Sequence, residues 1–371
     1  MMFSPPLHSQ RHQFVIDFVK RNKPQKVVDL GCCECTLLKK LKFHRGFIEL
    51  LVGVDVNGGK IKKKMYGLAP ISADFLQPSY DQLRIELYQG SVTQKDVRLR
   101  GFDLVTSIEL IEHLTLADVE RFSEVVFGYM TPVAVIVSTP NSEFNNVLPG
   151  LTGFRNSDHK FEWTRAEFQS WALKVCLDYG YEVEFTGVGP APPGQQEMVG
   201  FCSQIGVFHR LGGFYNNLMS FYLLLYQLYS VTYPSLRDNN ILRRVLVSEV
   251  LFWAAELKRK FIEKMTADGD DAVYQIIVLL TSRCAVRCVS VPLAVLWTCS
   301  PKVSNLSGCL SNLRHFLMED PEVKLSQDGS AVLLQDPDLE EGDVDLEDSG
   351  YVEASHYSHI AEEKEDWETD V

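Results

Sequence analysis

The chain has 371 residues, 46% hydrophobic and 23% charged, with 49 Asp or Glu against 36 Lys or Arg for a formal net charge of −13. Its nine cysteines are odd in number and irregularly spaced, and no signal-like stretch precedes them, which argues against a disulfide framework and for free thiols in a reducing compartment. The acidity is local: residues 336–371 hold 15 Asp or Glu and one Lys, a net of −14, which leaves the rest of the chain at +1.

The first predicted strand runs into a Gly-led turn and then a helix, through Lys26-Val27-Val28-Asp29-Leu30-Gly31-Cys32-Cys33-Glu34-Cys35-Thr36-Leu37-Leu38. A second strand, Leu50 to Val56, carries Asp55 near its end. Together they read as a βαβ nucleotide-binding unit, in which a small residue lets the backbone approach the ligand and the acid accepts hydrogen bonds from ribose hydroxyls. A dinucleotide fold would read G-x-G-x-x-G here, whereas only Gly31 is glycine and Cys33 and Cys35 hold the next alternate positions. Asp29 argues the same way, because a carboxylate at a strand end repels a pyrophosphate and suits a cationic ammonium. The three cysteines read as small residues tolerated in the loop rather than as a zinc site.

A strand from Phe102 to Ser107 leads into Ile108-Glu109-Leu110-Ile111-Glu112-His113-Leu114. If the chain enters a helix there, Glu109, Glu112 and His113 share a face at i, i+3 and i+4. Two carboxylates and an imidazole make a partial metal site suited to Mg²⁺, Mn²⁺ or Zn²⁺, with a fourth ligand from elsewhere. The plainer reading is a solvated helix N-terminus. A buried strand from Val135 then turns at Pro140. The polar loop Phe154 to Arg165 presents His159 ahead of a helix that Thr164 and Glu167 start as a capping box.

Beyond residue 210 the signals are coarser. Phe214 to Tyr233 and Ala272 to Cys299 are apolar, but Asn216, Asn217 and Gln227 interrupt one and Arg283, Arg287 and Pro292 the other, so a membrane span is costly. Packed accessory helices are expected instead. Leu242 to Ile262, with Leu246, Val250, Trp253 and Leu257 at helical spacing, reads as an amphipathic helix.

The order Asp-Leu-Gly at Asp29, Val-Asp-Val at Asp55, Gly90-Ser91 after Leu87-Tyr88, and Phe102-Asp103-Leu104-Val105 resembles the class I S-adenosylmethionine-dependent methyltransferases. The resemblance implies an α/β, Rossmann-like fold with a mainly parallel seven-stranded sheet and a less defined C-terminal extension. It also implies that the loop at Asp29 and Gly31 wraps the amino-acid moiety of S-adenosylmethionine, that Asp55 holds its ribose, and that Ser91 lies beside its adenine.

Three motifs narrow the likeness: Glu109-Leu-Ile-Glu112-His113, Ser138-Thr139-Pro140-Asn141-Ser142-Glu143-Phe144-Asn145, and Asp158-His159-Lys160-Phe161-Glu162-Trp163-Thr164-Arg165. With these the chain is similar to the small-RNA 3′-terminal 2′-O-methyltransferases of the animal type, which act on PIWI-associated RNAs (piRNAs). The similarity runs from Pro6 to Val207, with weaker echoes at Tyr233 to Leu236 and Asp328 to Val332. The expected organisation is a methyltransferase domain over residues 6–210, an accessory apolar and helical region over 211–318, and an acidic, solvating tail over 319–371.

This resemblance implies that Glu109, Glu112, His113 and His159 bind one divalent cation, Mg²⁺ or Mn²⁺, which contacts both hydroxyls of the terminal ribose. A metal lowers the pKa of a bound hydroxyl, so the 2′ oxygen can attack the sulfonium methyl, and a vicinal diol chelates where a 3′-phosphate end does not. His113 and His159 are also the candidates to accept the departing proton, with ligation and base catalysis competing for one nitrogen. The implied partners are the 3′ end of a small single-stranded RNA and PIWI-class Argonaute proteins, with no membrane, in the cytoplasm and its germ-cell granules.

RNA contacts are expected from Lys39, Lys40, Lys42, Lys60 to Lys64 and, nearest the ligands, Arg155, Lys160 and Arg165. The acidic tail either stays solvated or competes with RNA for those groups. Cys33 stands where the family carries a second glycine, and Val56-Asn57-Gly58-Gly59-Lys60 is more flexible than a helix start usually is. Two other readings stay open: a small-molecule O-methyltransferase, in which replacing His159 spares activity, and a catalytically impaired RNA-end or PIWI-binding adaptor that binds no cofactor.

Overall fold

A computed structural model describes residues 3–212, 222–267 and 288–335. The chain divides into two compact units, the first ending at Leu236 and the second beginning at Arg237.

Among the described residues of the first unit, eight strands form one sheet. They are β1 (Lys26–Leu30), β2 (Leu50–Asp55), β3 (Arg84–Gln89), β4 (Leu104–Ile108), β5 (Ala134–Pro140), β6 (Tyr181–Pro190), β7 (Phe201–Arg210) and β8 (Tyr226–Thr232). Their spatial order is β6-β7-β5-β4-β1-β2-β3-β8. The five strands from β1 to β5 pair in parallel, while β6, β7 and β8 run antiparallel to their neighbours.

The central strands are near-continuous Val, Ile and Leu because both faces are covered. Alternate side chains divide between the faces. Val27, Leu51 and Ile85 pack under Val15 and Phe18 of α1 (Leu7–Asn22), Leu38 of α2 (Thr36–Leu41) and Ile61 of α3 (Gly58–Lys64). Val28, Val52 and Val105 pack under Phe122 of α5 (Leu116–Ser123), Phe127 of the π-helical stretch Glu124–Met130, and Trp171 of α6 (Arg165–Tyr179). Two short helices, α4 (Ser72–Leu76) and α7 (Gln196–Val199), complete the unit.

The expected seven-stranded sheet is therefore corrected to eight, and the unit expected to close at residue 210 continues to Leu236. The physical reason is the outer edge of β3, whose Ile85 and Leu87 are fully buried and whose backbone is completed by antiparallel pairing with β8. Asp96 anchors the chain entering that strand. Buried itself, it accepts from the amides of Leu224 (3.1 Å) and Leu225 (3.0 Å) and pairs with Arg98, whose Nη2 donates to the Leu225 carbonyl at 2.6 Å.

The second unit packs α8 (Asn239–Ala267), α9 (Leu293–Cys299), α10 (Pro301–Ser307) and α11 (Leu310–Met318) around an antiparallel pair, β9 (Cys288–Pro292) with β10 (Ala331–Gln335). Leu246 and Val250 of the expected amphipathic helix are buried with Leu296, Val303 and Leu313, and Trp253 and Leu257 pack against them. Residues 331–335, expected in the acidic tail, form β10 instead. The tail from residue 336, and the apolar stretches at 214–221 and 272–287, lie outside the described residues. No described helix is long and apolar enough to cross a membrane.

Candidate active site

The Gly-led loop begins where β1 ends. Gly31 adopts φ +79°, and a Cβ there would lie 2.9 Å from Leu110 Cδ1, so conformation and space both call for glycine. The amides of Gly31 and Cys32 donate to the Val54 carbonyl at 2.8 and 3.1 Å, laying the loop over the end of β2. Its further course passes through Cys33 (φ +46°) and Cys35 (φ +61°), two side-chain-bearing residues in the left-handed region.

The Cys33 amide donates to Asp55 Oδ2 at 2.9 Å, and the Asn57 amide to Oδ1 at 2.7 Å, so backbone groups fix the Asp55 carboxylate at the strand end. Asp29 is 4% exposed and accepts from Thr106 Oγ1 at 2.8 Å. Burial pushes its carboxyl up to about 7, the Thr106 bond opposing and the Asp55 charge adding to the rise. Ser91 follows β3, with its hydroxyl 2.7 Å from Thr93 Oγ1. Asp29, Gly31, Asp55 and Ser91 thus gather along the carboxyl ends of β1, β2 and β3, where open α/β sheets bind ligands.

The chain does not enter a helix directly after β4, so the condition for Glu109, Glu112 and His113 to share a helix face is not met. Glu109 takes φ +52°, and only a 3-10 turn, Ile111–His113, follows. The reason is tertiary. The Glu109 amide donates to the Ser138 carbonyl and hydroxyl, both at 3.1 Å, so pairing with β5 continues one residue past the strand before the chain reverses. The Glu109 carboxylate accepts from Ser138 Oγ (2.9 Å) and Ser203 Oγ (2.6 Å), and Arg11 approaches at 3.4 Å.

Among the described residues, Glu112, His113 and His159 place their donor atoms within 4.8 Å of one another. Glu109 is outside this set. His159 arrives on its loop because the Lys160 amide donates to the Glu112 carbonyl at 2.7 Å. The two imidazoles meet edge to face at 4.9 Å. His159 Nδ1 lies 2.6 Å from Glu162 Oε1, which leaves Nε2 as the atom available for ligation. Glu162 also accepts from the Arg155 amide (2.7 Å) and Asn145 Nδ2 (2.6 Å).

Glu112 is fully buried; its Oε2 accepts from Thr139 Oγ1 at 3.0 Å, while Oε1 has no partner among the described residues. Burial, then the neighbouring Glu109 charge, holds its carboxyl well above the ordinary range. Burial and the adjacent His159 lower His113, which favours a neutral ring. A buried carboxylate with one orphaned oxygen, grouped with two imidazoles, is a donor set that fits a divalent cation.

Of the basic residues nearest the donors, Arg155 is committed to the loop itself. It donates from Nε to Asn145 Oδ1 (2.6 Å) and from Nη1 to the Cys202 carbonyl (2.9 Å), and also bonds the Asn141 carbonyl. Arg165 donates from Nε to Glu143 at 2.7 Å, and Lys160 is exposed. The capping box of Thr164 and Glu167 forms as expected. Arg11 and Ser203 had no local signal in the sequence. Ser138, Thr139 and Glu162 stood in recognised motifs but with no role attached.

No family model matches the chain. It is 42% identical over 362 residues to the small RNA 2′-O-methyltransferase of Gallus gallus, covering 90% of this chain and 94% of that protein. It is also 42% identical over 376 residues to the one from Xenopus tropicalis, covering 94% and 98%. Among solved structures, the small RNA methyltransferase HEN1 superposes with a TM-score of 0.50 at 32% identity, over 62% of this chain and 27% of that one. The fold is that of the class I S-adenosylmethionine-dependent methyltransferases, and with relatives this similar over nearly their whole length, the chain belongs to the small RNA 2′-O-methyltransferase family.

Proposed function

We propose that this enzyme transfers the methyl group of S-adenosylmethionine to the 2′-hydroxyl of the 3′-terminal nucleotide of small single-stranded RNAs, and that the transfer depends on one Mg²⁺ or Mn²⁺ ion. Kinship supports the reaction; the partnerless Glu112 Oε1 beside His113 and His159 is the observation that supports the ion. A divalent cation held there supplies the Lewis acidity that makes a ribose hydroxyl nucleophilic near neutral pH. The sulfonium of S-adenosylmethionine supplies the activated methyl group.

The chain's own residues do the rest. Glu162 orients His159, Thr139 orients Glu112, and the Lys160 amide keeps the His159 loop against the Glu112 turn. His113, kept neutral, serves either as ligand or as proton acceptor. On the cofactor side, Gly31 and the amide-fixed Asp55 cradle the methionine and ribose portions, and Asp29 offers a carboxylate to the ammonium. The substrate RNAs are proposed to be piRNAs presented by PIWI-class Argonaute proteins, in the cytoplasm and its germ-cell granules.

The test is methyl transfer from labelled S-adenosylmethionine to a short single-stranded RNA with a 3′-terminal diol or a 2′-deoxy end, with Mn²⁺ or Mg²⁺ and then with chelator. Labelling confined to the diol and abolished by chelator is the expected result. Labelling that survives chelation removes the ion, and transfer to small hydroxylated molecules in preference to RNA removes the substrate. Cys33 introduces a Cβ at φ +46°, so Cys33→Gly is expected to relieve up to roughly 1 kcal/mol of backbone strain, read as a higher midpoint in urea unfolding of the cofactor-free protein.

A further inference from the structure

Two of the arginines near the donor set, Arg155 and Arg11, are held in opposite ways. Arg155 spends Nε and both terminal nitrogens on Asn145, Cys202 and Asn141, the pattern of a fixed brace. Arg11, reaching in from α1, meets Glu109 Oε2 at 3.4 Å, longer than the roughly 2.7–2.9 Å of a charge-assisted hydrogen bond, and its Nε is buried without a partner among the described residues. Among the described residues the other groups on Glu109, the hydroxyls of Ser138 and Ser203, are neutral, and Arg11 is the cation that answers this carboxylate.

We infer that Arg11 is a placeholder cation, holding Glu109 while no divalent ion is bound and yielding the carboxylate when one arrives. The inference rests on the metal reading above and adds a competitor to it. Glu109 lies outside the converging set because Arg11 already satisfies its charge. A loosely seated guanidinium fits this role, since each bond it gives up costs little. Two positive charges sharing one carboxylate repel, so Arg11 lowers the affinity of the site for its ion.

The sign of that effect is the test. Mn²⁺ is titrated into the full-length protein without RNA or S-adenosylmethionine, and free Mn²⁺ is followed by electron paramagnetic resonance. Arg11→Gln is expected to bind Mn²⁺ about five- to tenfold more tightly than wild type at low ionic strength, with the difference shrinking as salt rises. Arg11→Met, which keeps the apolar stem, should do the same, and Arg11→Lys should stay near wild type. In a Glu109→Gln background, the gain from Arg11→Gln should be markedly smaller, leaving only the effect of the Arg11 charge on Glu112.

Neutral Arg11 variants that are folded by circular dichroism yet bind Mn²⁺ equally or more weakly would overturn the placeholder role and leave the metal site standing. Wild-type protein that binds no Mn²⁺, or binds it identically after Glu112→Gln, would overturn the metal reading and this inference with it.

Discussion

Glu162 sits behind His159, 8% exposed, with one oxygen on the imidazole and the loop amide of Arg155 and the other on Asn145. A carboxylate so placed selects the tautomer, fixes the ring and raises its basicity as a ligand. Glu162→Gln should therefore weaken Mn²⁺ binding by about 10–100-fold while leaving cofactor affinity unchanged, as calorimetry with each ligand will show. Asp29 gives a second prediction, through pH. Its carboxyl titrates near 4 in the unfolded chain but is pushed up to about 7 by burial in the folded one. Between those values the unfolded state has released a proton that the folded state keeps, so stability falls as pH rises through that window and levels off above it. Asp29→Asn removes this contribution. Relative to wild type, the variant should gain stability between pH 5 and 7.5, by roughly 4 kcal/mol at most, in urea unfolding of the cofactor-free protein. Equal slopes would mean that the acid is hydrated in the folded state.

At the scale of elements, β8 is the part of the sheet that depends most on a single side chain. Asp96 answers two backbone amides and the Arg98 guanidinium where the chain enters the strand, and these bonds hold its carboxyl below the ordinary range despite the opposing effect of burial. Asp96→Ala strands these partners and the Arg98 amide, which also donates to it at 3.0 Å, and should cost about 3–5 kcal/mol, with amide exchange accelerating along β8. A loss under about 1 kcal/mol would show that the ladder to β3 holds the strand unaided. The same strand shows why part of the fold was hidden in the sequence. β1, β2, β4 and β5 announce themselves as Val and Ile runs because both faces are buried. β8, Tyr-Gln-Leu-Tyr-Ser-Val-Thr, is half polar and mostly exposed, and becomes a strand by pairing with β3. Glu109 is a similar case. Its motif located Glu112 and His113, and the histidine loop located His159, but the left-handed turn is imposed by Ser138 from another strand, which no local spacing encodes. Arg11 and Ser203 reach Glu109 from α1 and β7, far along the chain, so only the fold reveals them.

For the whole molecule, the two units have separate apolar cores, one on each face of the eight-stranded sheet in the first and one around Leu246, Leu296 and Leu313 in the second. That division makes two truncations informative. A chain ending at Leu236 keeps β8 and with it Leu225, 6% exposed, and Tyr233, 3% exposed, whose hydroxyl donates to the Leu68 carbonyl at 2.6 Å. A chain ending at Arg210 loses them and uncovers Asp96 and the outer edge of β3. Burial of two such side chains contributes roughly 3–6 kcal/mol, and losing the Leu224 and Leu225 backbone groups that Asp96 and Arg98 bond adds further to the loss. Set against the roughly 5–15 kcal/mol by which domains are stable, the shorter truncation should not hold its fold. The longer one should unfold cooperatively and transfer methyl groups to RNA, since every residue assigned to cofactor and cation lies before Leu236. If instead the 210-residue chain melts as sharply as the 236-residue chain and is equally active, β8 is an appendage rather than part of the sheet's stability. If neither is active while both are folded, residues after Leu236 contribute to RNA capture, and the second unit becomes the place to look for substrate contacts.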